Sequence, residues 1–244
     1  MTCYMIRLRY DGTDFCGYQP QANGRTVGGE LLGALRRTFG SVTSLAGCSR
    51  TDSGVHALDY RASFRSEKRL EPQTAVRALN AWLPDDIVVF GCQYVSEDFH
   101  ARYSVTEKEY MYRIRNSSLR DPFTDRYTLL YPGVIDLQRL NRAAECIEGR
   151  HDFTSFTNSG ASVRDHVREV KHAYFTRQED EIRFYISADG FLYNMVRIIT
   201  GTLLDMASGL IPYEAMPDII AACDRSVAGR TAPARGLFLN KVVY

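Results

Sequence analysis

The order in which the hydrophobic period changes along this chain constrains its fold more than any other feature. Tyr4–Tyr10 alternates, with Ile6, Leu8 and Tyr10 opposed to Arg7 and Arg9, the period-two pattern of a strand. Asp11-Gly12 then turns the chain. From Val27 to Phe39 the period becomes helical: Leu31, Leu32, Leu35 and Phe39 recur on one face, with Thr26 as cap and Gly40 as stop. Val42–Ala46 and Ala57–Phe64 read as strands around a polar, turn-like segment. Pro72–Trp82 reads as a helix with proline near its first turn and Val76, Leu79 and Trp82 on one face. Ile87–Val95 is an apolar strand. The order is β-α-β-β-α-β, the split βαβ unit.

The remainder repeats this order. Glu109–Arg115 is a strand and Leu137–Ile147 a helix. Val167–Arg177 and Glu181–Ala188 pair as a hairpin over a polar turn. Phe191–Ala207 is a long helix, Tyr213–Cys223 a further one, and Gly236–Val243 the closing strand. The expectation is therefore an α+β protein of two ferredoxin-like halves, residues 1–100 and 101–244, joined near Asp98–Thr106. Together they form a mixed, mostly antiparallel sheet with a central active-site cleft where the halves meet.

Composition excludes several classes. With 244 residues, 45% hydrophobic and 24% charged, the chain is long and apolar enough for a sizeable core, so disordered, collagen-like and coiled-coil readings fall away. Net charge is +1, so no strong global field draws the molecule to polyanions. Yet only four of the 30 basic residues are Lys, leaving 26 Arg, whose planar fork suits phosphate; coding bias would produce the same count. Residues 1–79 hold 11 basic and 7 acidic residues against 19 and 22 in the rest, a mildly basic first third. The six cysteines are scattered, with no C-x-x-C pair and no histidine at metal-ligand spacing, which points to reduced thiols, no metal and a cytoplasmic setting. The opening Met-Thr-Cys-Tyr lacks the layout of a signal peptide, and no run approaches the ~18 apolar residues of a membrane span.

The densest polar cluster is Gly47-Cys48-Ser49-Arg50-Thr51-Asp52-Ser53-Gly54-Val55-His56, between two expected strands. Turn chemistry alone accounts for Asp, Ser and Gly there. It does not account for the density of reactive types. An ionised Asp52 beside Arg50, flanked by small residues that let a substrate approach, suits nucleophilic or base chemistry. His56 is a general base by type, or else a structural histidine after a turn. Ser49 and Ser53 lack a nucleophile elbow and a triad partner. Alternation puts Lys108, Tyr110 and Tyr112 on one strand face, either a stacking platform for a base or ordinary cross-strand packing. In the helix opening at Phe191, Met195, Ile198 and Ile199 make an apolar stripe that Arg197 interrupts. A buried Arg needs an anionic partner; Asp52 is one candidate among several.

These segments, in order, resemble the tRNA pseudouridine synthase A family along nearly the whole chain. The most specific is the run through Arg50-Thr51-Asp52 to Gly54-Val55-His56. Supporting it are Tyr10-Asp11-Gly12, Phe15-Cys16-Gly17-Tyr18-Gln19, Asp98-Phe99-His100-Ala101-Arg102, Asp152-Phe153-Thr154-Ser155-Phe156, Phe191 to Arg197, and Ala232-Pro233 with Gly236-Leu237. Ser49 stands where the family usually has Gly, Tyr18 where Trp is common, and Gly28 where Gln is usual. The resemblance implies an isomerase without cofactor or metal that converts uridine to pseudouridine at positions 38, 39 and 40 of the tRNA anticodon arm. It implies Asp52 as nucleophile, Arg197 as its basic partner, Tyr110 packing on the target base and serving in proton transfer, and Arg50 holding a flipped-out nucleotide, with His56 among the substrate-binding residues. It further implies a homodimer with tRNA in a basic cleft; Arg7, Arg9, Arg25 and Arg61 are candidate phosphate contacts. Two other classes bear comparison: an RNA-binding module, which would not need Asp52, and a hydrolase pairing Asp52 with Asp59.

Overall fold

The structure is a computed structural model; it describes residues 1–158, 163 and 165–244. By contacts it divides into two units, Met1–Thr106 with Phe238–Tyr244, and Glu107–Leu237.

The first unit contains β1 (Thr2–Tyr10), α1 (Val27–Phe39), β2 (Thr43–Gly47), β3 (His56–Ser66), α2 (Pro72–Asn80) and β4 (Ile87–Tyr94). The strands lie in the order β4-β1-β3-β2, all antiparallel, as the split βαβ pattern requires. The register sets Tyr4 opposite Phe64, Ile6 opposite Ala62 and Leu8 opposite Tyr60, and all six are buried. Phe39 of α1 meets this face: its ring centroid lies 5.1 Å from Tyr4 and 5.0 Å from Phe64. Each such buried ring contributes roughly 1.5–3 kcal/mol of transfer free energy. The Thr26 hydroxyl accepts the Gly29 N–H at the start of α1, and Gly40 stops the helix at a φ of +78°.

The second unit contains β5 (Glu107–Arg115), β6 (Leu129–Leu130), α3 (Leu137–Glu145), β7 (Gly149–Asp152), β8 (Val167–Gln178), β9 (Glu181–Ala188), α4 (Met195–Ala207) and α5 (Met216–Ala222). Its strands run β5-β9-β8-β7, antiparallel throughout, with β6 parallel to β5. The β8–β9 hairpin turns through Glu179, which sits in the left-handed region at φ +54°. Nearly every residue from Met195 to Met206 is buried, so α4 is apolar on all sides, as an internal helix must be. The last strand, β10 (Leu237–Val243), runs parallel to β3, pairing Phe238 with His56 and Leu239 with Ala57. It takes the part of the β3 edge that β2 leaves open.

The chain is thus α+β with a mostly antiparallel set of strands. Several boundaries differ from the periodicity. The helix expected from Phe191 begins at Met195, because Asn194 adopts φ +60°, a left-handed conformation that cannot continue a helix. The segment expected as one helix over Tyr213–Cys223 is a 3-10 turn, Tyr213–Ala215, followed by α5. The short strands β6 and β7 carry no alternation long enough to read. The closing strand, expected with the second half, groups with the first unit through its ladder to β3.

Candidate active site

The Arg50–His56 run lies where the first unit joins β2 to β3, and its backbone is tied down along its length. The Cys48 N–H donates to the Arg61 carbonyl at 2.8 Å, and the Tyr60 hydroxyl donates to the Ser49 carbonyl. Tyr60 stacks on Tyr18 with centroids 4.6 Å apart, and burial pushes both hydroxyls up in pKa, so both remain neutral. Thr51 is buried: its hydroxyl pairs with that of Tyr10 at 2.7 Å, and its carbonyl accepts the Tyr18 N–H at 3.1 Å. Further on, the Ser53 hydroxyl and the Gly54 N–H both donate to the Phe15 carbonyl, and the Val55 N–H closes a turn onto the Asp52 carbonyl at 3.2 Å. The result is a half-buried Asp52 on a backbone with little freedom, next to an exposed Arg50.

Two glycines let the segment 11–18 come this close. A Cβ on Gly12 would stand 1.9 Å from the Val55 carbonyl oxygen. One on Gly17, at φ +91°, would stand 2.7 Å from the Thr51 carbonyl oxygen and 3.2 Å from the Asp52 carbonyl carbon. Periodicity alone treats Tyr10-Asp11-Gly12 as a turn. Here it is the floor of the loop.

His56, expected among the substrate contacts, is 1% exposed. Its ring stacks on Phe238 with centroids 4.5 Å apart, and its Nδ1 accepts the Gly12 N–H at 3.0 Å. An Asp11 carboxylate oxygen lies 3.1 Å from the same nitrogen, but that oxygen already accepts from the Thr13 N–H and hydroxyl.

In the second unit, Tyr110 on β5 is almost buried and meets Phe191 edge-on, centroids 5.0 Å apart at 88°. Tyr112 is wholly buried and donates to the Pro233 carbonyl at 2.7 Å. Tyr112 is therefore a packing residue and offers no surface for a base. Arg197 is half-buried on a helix otherwise buried around it. Its Nε donates to the Ala232 carbonyl and its Nη1 to the Asn194 side-chain oxygen, both at 2.8 Å, while the Ala232 N–H returns a bond to the Arg197 carbonyl. Asn194 and Ala232, absent from the expected site, fix the direction of this guanidinium. A Cβ on Gly201 would stand 1.8 Å from the Arg230 carbonyl oxygen, so that glycine admits the 230–232 segment against α4.

The remaining candidates are partly spoken for. Asp59 is held by Arg7 and Arg61, each at 3.1 Å, which commits the second carboxylate of a hydrolase reading to an ion-pair network on the strands. Arg25 forks onto Asp86 at 2.6 and 3.0 Å and also reaches Glu30. Arg9 is exposed and lies over the Phe90 ring at 4.6 Å. Among the described residues no group of three His, Cys, Asp or Glu side chains is arranged to hold a metal ion. Nor is any helix there long and apolar enough to cross a membrane.

The profile of a family described as tRNA pseudouridine synthase matches residues 143–244. The chain is 40% identical over 240 residues to tRNA pseudouridine synthase A of Caldicellulosiruptor saccharolyticus, covering 98% of both chains. It is 42% identical over 238 residues to the enzyme of that name from Geobacillus sp. (strain WCH70), covering 97% and 96%. It is 42% identical over 246 residues to that of Moorella thermoacetica, covering 100% of both. Among solved structures, a chain of a Cbf5-Nop10-Gar1 complex aligns with 97% of this chain and 48% of its own length, at a TM-score of 0.38 and 9% identity, a likeness too slight to bear on function.

Proposed function

The chain belongs to the tRNA pseudouridine synthase A family, a family of isomerases, and from that premise we propose that it converts uridine to pseudouridine at positions 38, 39 and 40 of the tRNA anticodon arm, with Asp52 as nucleophile. Asp52 attacks either C1′ of the ribose or C6 of the uracil. The bond between N1 and C1′ breaks, the base turns, a bond forms between C5 and C1′, the Asp52 adduct is released, and the proton lost from C5 is matched by one gained at N1. Atoms balance without a co-reactant. Because the target base is stacked in an RNA stem, it must be extruded first, which costs a few kcal/mol. The exposed Arg50, two residues before Asp52, is suited to occupy the gap it leaves and hold the nucleotide out.

The observation that best supports this reading is the loop itself. Its backbone is bonded at Cys48, Ser49, Thr51, Asp52, Gly54 and Val55, so Asp52 need not be ordered when substrate arrives. Arg197, its guanidinium directed by two neutral oxygens, is proposed as the cation beside the Asp52 carboxylate. Tyr110, braced by Phe191, is proposed to pack on the base and move the C5 proton. The family resemblance extends the proposal to a homodimer acting in the cytoplasm.

The test uses tRNA labelled with tritium at uridine C5. Release of tritium is expected for transcripts carrying uridine at 38, 39 or 40, and none when all three positions are replaced by cytidine. Undiminished release from the triple replacement would overturn the position assignment; no release from any tRNA would overturn the activity. Free uracil as product would instead indicate hydrolysis.

A further inference from the structure

We propose that His56 is a positioning residue of the active-site loop, acting through the Gly12 amide and not by contact with the nucleotide. The inference rests on the reading of Asp52 as the reacting group. Three observations carry it. His56 is buried, so its ring has no face to offer a substrate. Its Nδ1 accepts the Gly12 N–H at 3.0 Å, with an Asp11 carboxylate oxygen 3.1 Å from the same nitrogen. The Gly12 backbone lies against the Val55 carbonyl so closely that even a methyl group would not fit between them.

His56 is the first residue of β3, directly after the loop, and its ring is pinned from the other side by Phe238. The bond to Gly12 therefore joins the end of the loop to the start of the 12–17 segment. That same segment supplies the Phe15 carbonyl to Ser53 and Gly54, and the bare Cα of Gly17 beneath Thr51 and Asp52. Releasing the Gly12 amide frees the floor on which Asp52 rests. A displacement on the order of 1 Å at a reacting group costs about 100-fold in rate. Substrate affinity, set by other contacts, is left alone.

The test compares two amides of similar bulk. In His56→Asn the side-chain oxygen takes the place of Nδ1 and still accepts the Gly12 N–H. In His56→Gln the oxygen sits where Nε2 was, and the acceptor is lost. With tritium release as readout, we expect His56→Asn to keep kcat within about threefold of wild type. His56→Gln is expected to lose 10- to 100-fold in kcat with KM for tRNA within about twofold. Thermal unfolding of both variants runs alongside. Equal kcat in the two variants would overturn the proposal, as would a loss confined to KM, which would make His56 a substrate contact. If neither variant folds, His56 is a requirement of the whole unit and the positioning role also fails. Asp52→Asn in the same assay keeps the two questions apart: full activity there removes Asp52 as the reacting group, whatever the His56 pair does.

Discussion

Gly12 shows how much of the site is decided by a single missing methyl group. Its Cα faces the Val55 carbonyl, and an added Cβ would stand 1.9 Å from that oxygen. Gly12→Ala must therefore push the 11–18 segment off the loop. The expected result is a loss of about 1–3 kcal/mol in stability by denaturant unfolding, the usual cost of overpacking, together with a fall in tritium release larger than the fraction unfolded explains. Wild-type stability and rate would contradict the close approach. At this scale the sequence was informative about identity and poor about role. Asp52 and Arg50 stood out because reactive types crowd a short run between strands. His56 was visible in the same run, but its burial was not, because burial depends on Phe238, 182 positions later in the chain. Asn194 and Ala232 bond Arg197 through groups that carry no chemical signal in a sequence.

At the scale of elements, the long strands were readable from their apolar and alternating residues, most directly in β9, where burial alternates. Thus β1, β3, β5 and β9 appear within two residues of where the pattern puts them. The start of α4 was not readable, since the left-handed turn at Asn194 interrupts an apolar run that continues on both sides. The β8–β9 hairpin supports a prediction of its own. Burial alone would raise the Glu181 carboxyl, but hydrogen bonds from Arg113 and Arg183 outweigh it and hold the group below the ordinary glutamate value. A carboxylate with a lowered folded-state pKa stabilises the fold above its unfolded value, and that contribution disappears as pH falls through the folded value. Glu181→Gln is therefore expected to cost about 1 kcal/mol near neutrality and nothing in acid, where the wild type has lost the same pair. Denaturant unfolding at several pH values checks this; a cost independent of pH would contradict it.

Across the whole molecule, the excess of arginine over lysine reads differently from a count. Arg7 and Arg61 share Asp59, and Arg25 is matched by Asp86 and Glu30, so these three arginines already have carboxylate partners in the fold. Arg9, exposed over Phe90, is the better candidate for a phosphate. Affinity for tRNA is expected to fall steeply with salt. Arg9→Ala should reduce the slope of log K against log salt by about one, and Arg25→Ala should leave it unchanged. The opposite order, measured by filter binding, would mean that the internal pairs open on RNA. The two-fold β-α-β-β-α-β order was legible because the period of the hydrophobic pattern changes with each element. The membership of β10 was not, because a parallel ladder to β3 joins residues far apart in sequence.

Asp52 is proposed to form the bond that lets the base leave its ribose. Asp52→Asn keeps the shape of the side chain and removes its charge and nucleophilicity. With C5-tritiated tRNA, the purified variant is expected to fold and bind tRNA as the wild type does and to release no tritium above background. Release at the wild-type rate would contradict the account.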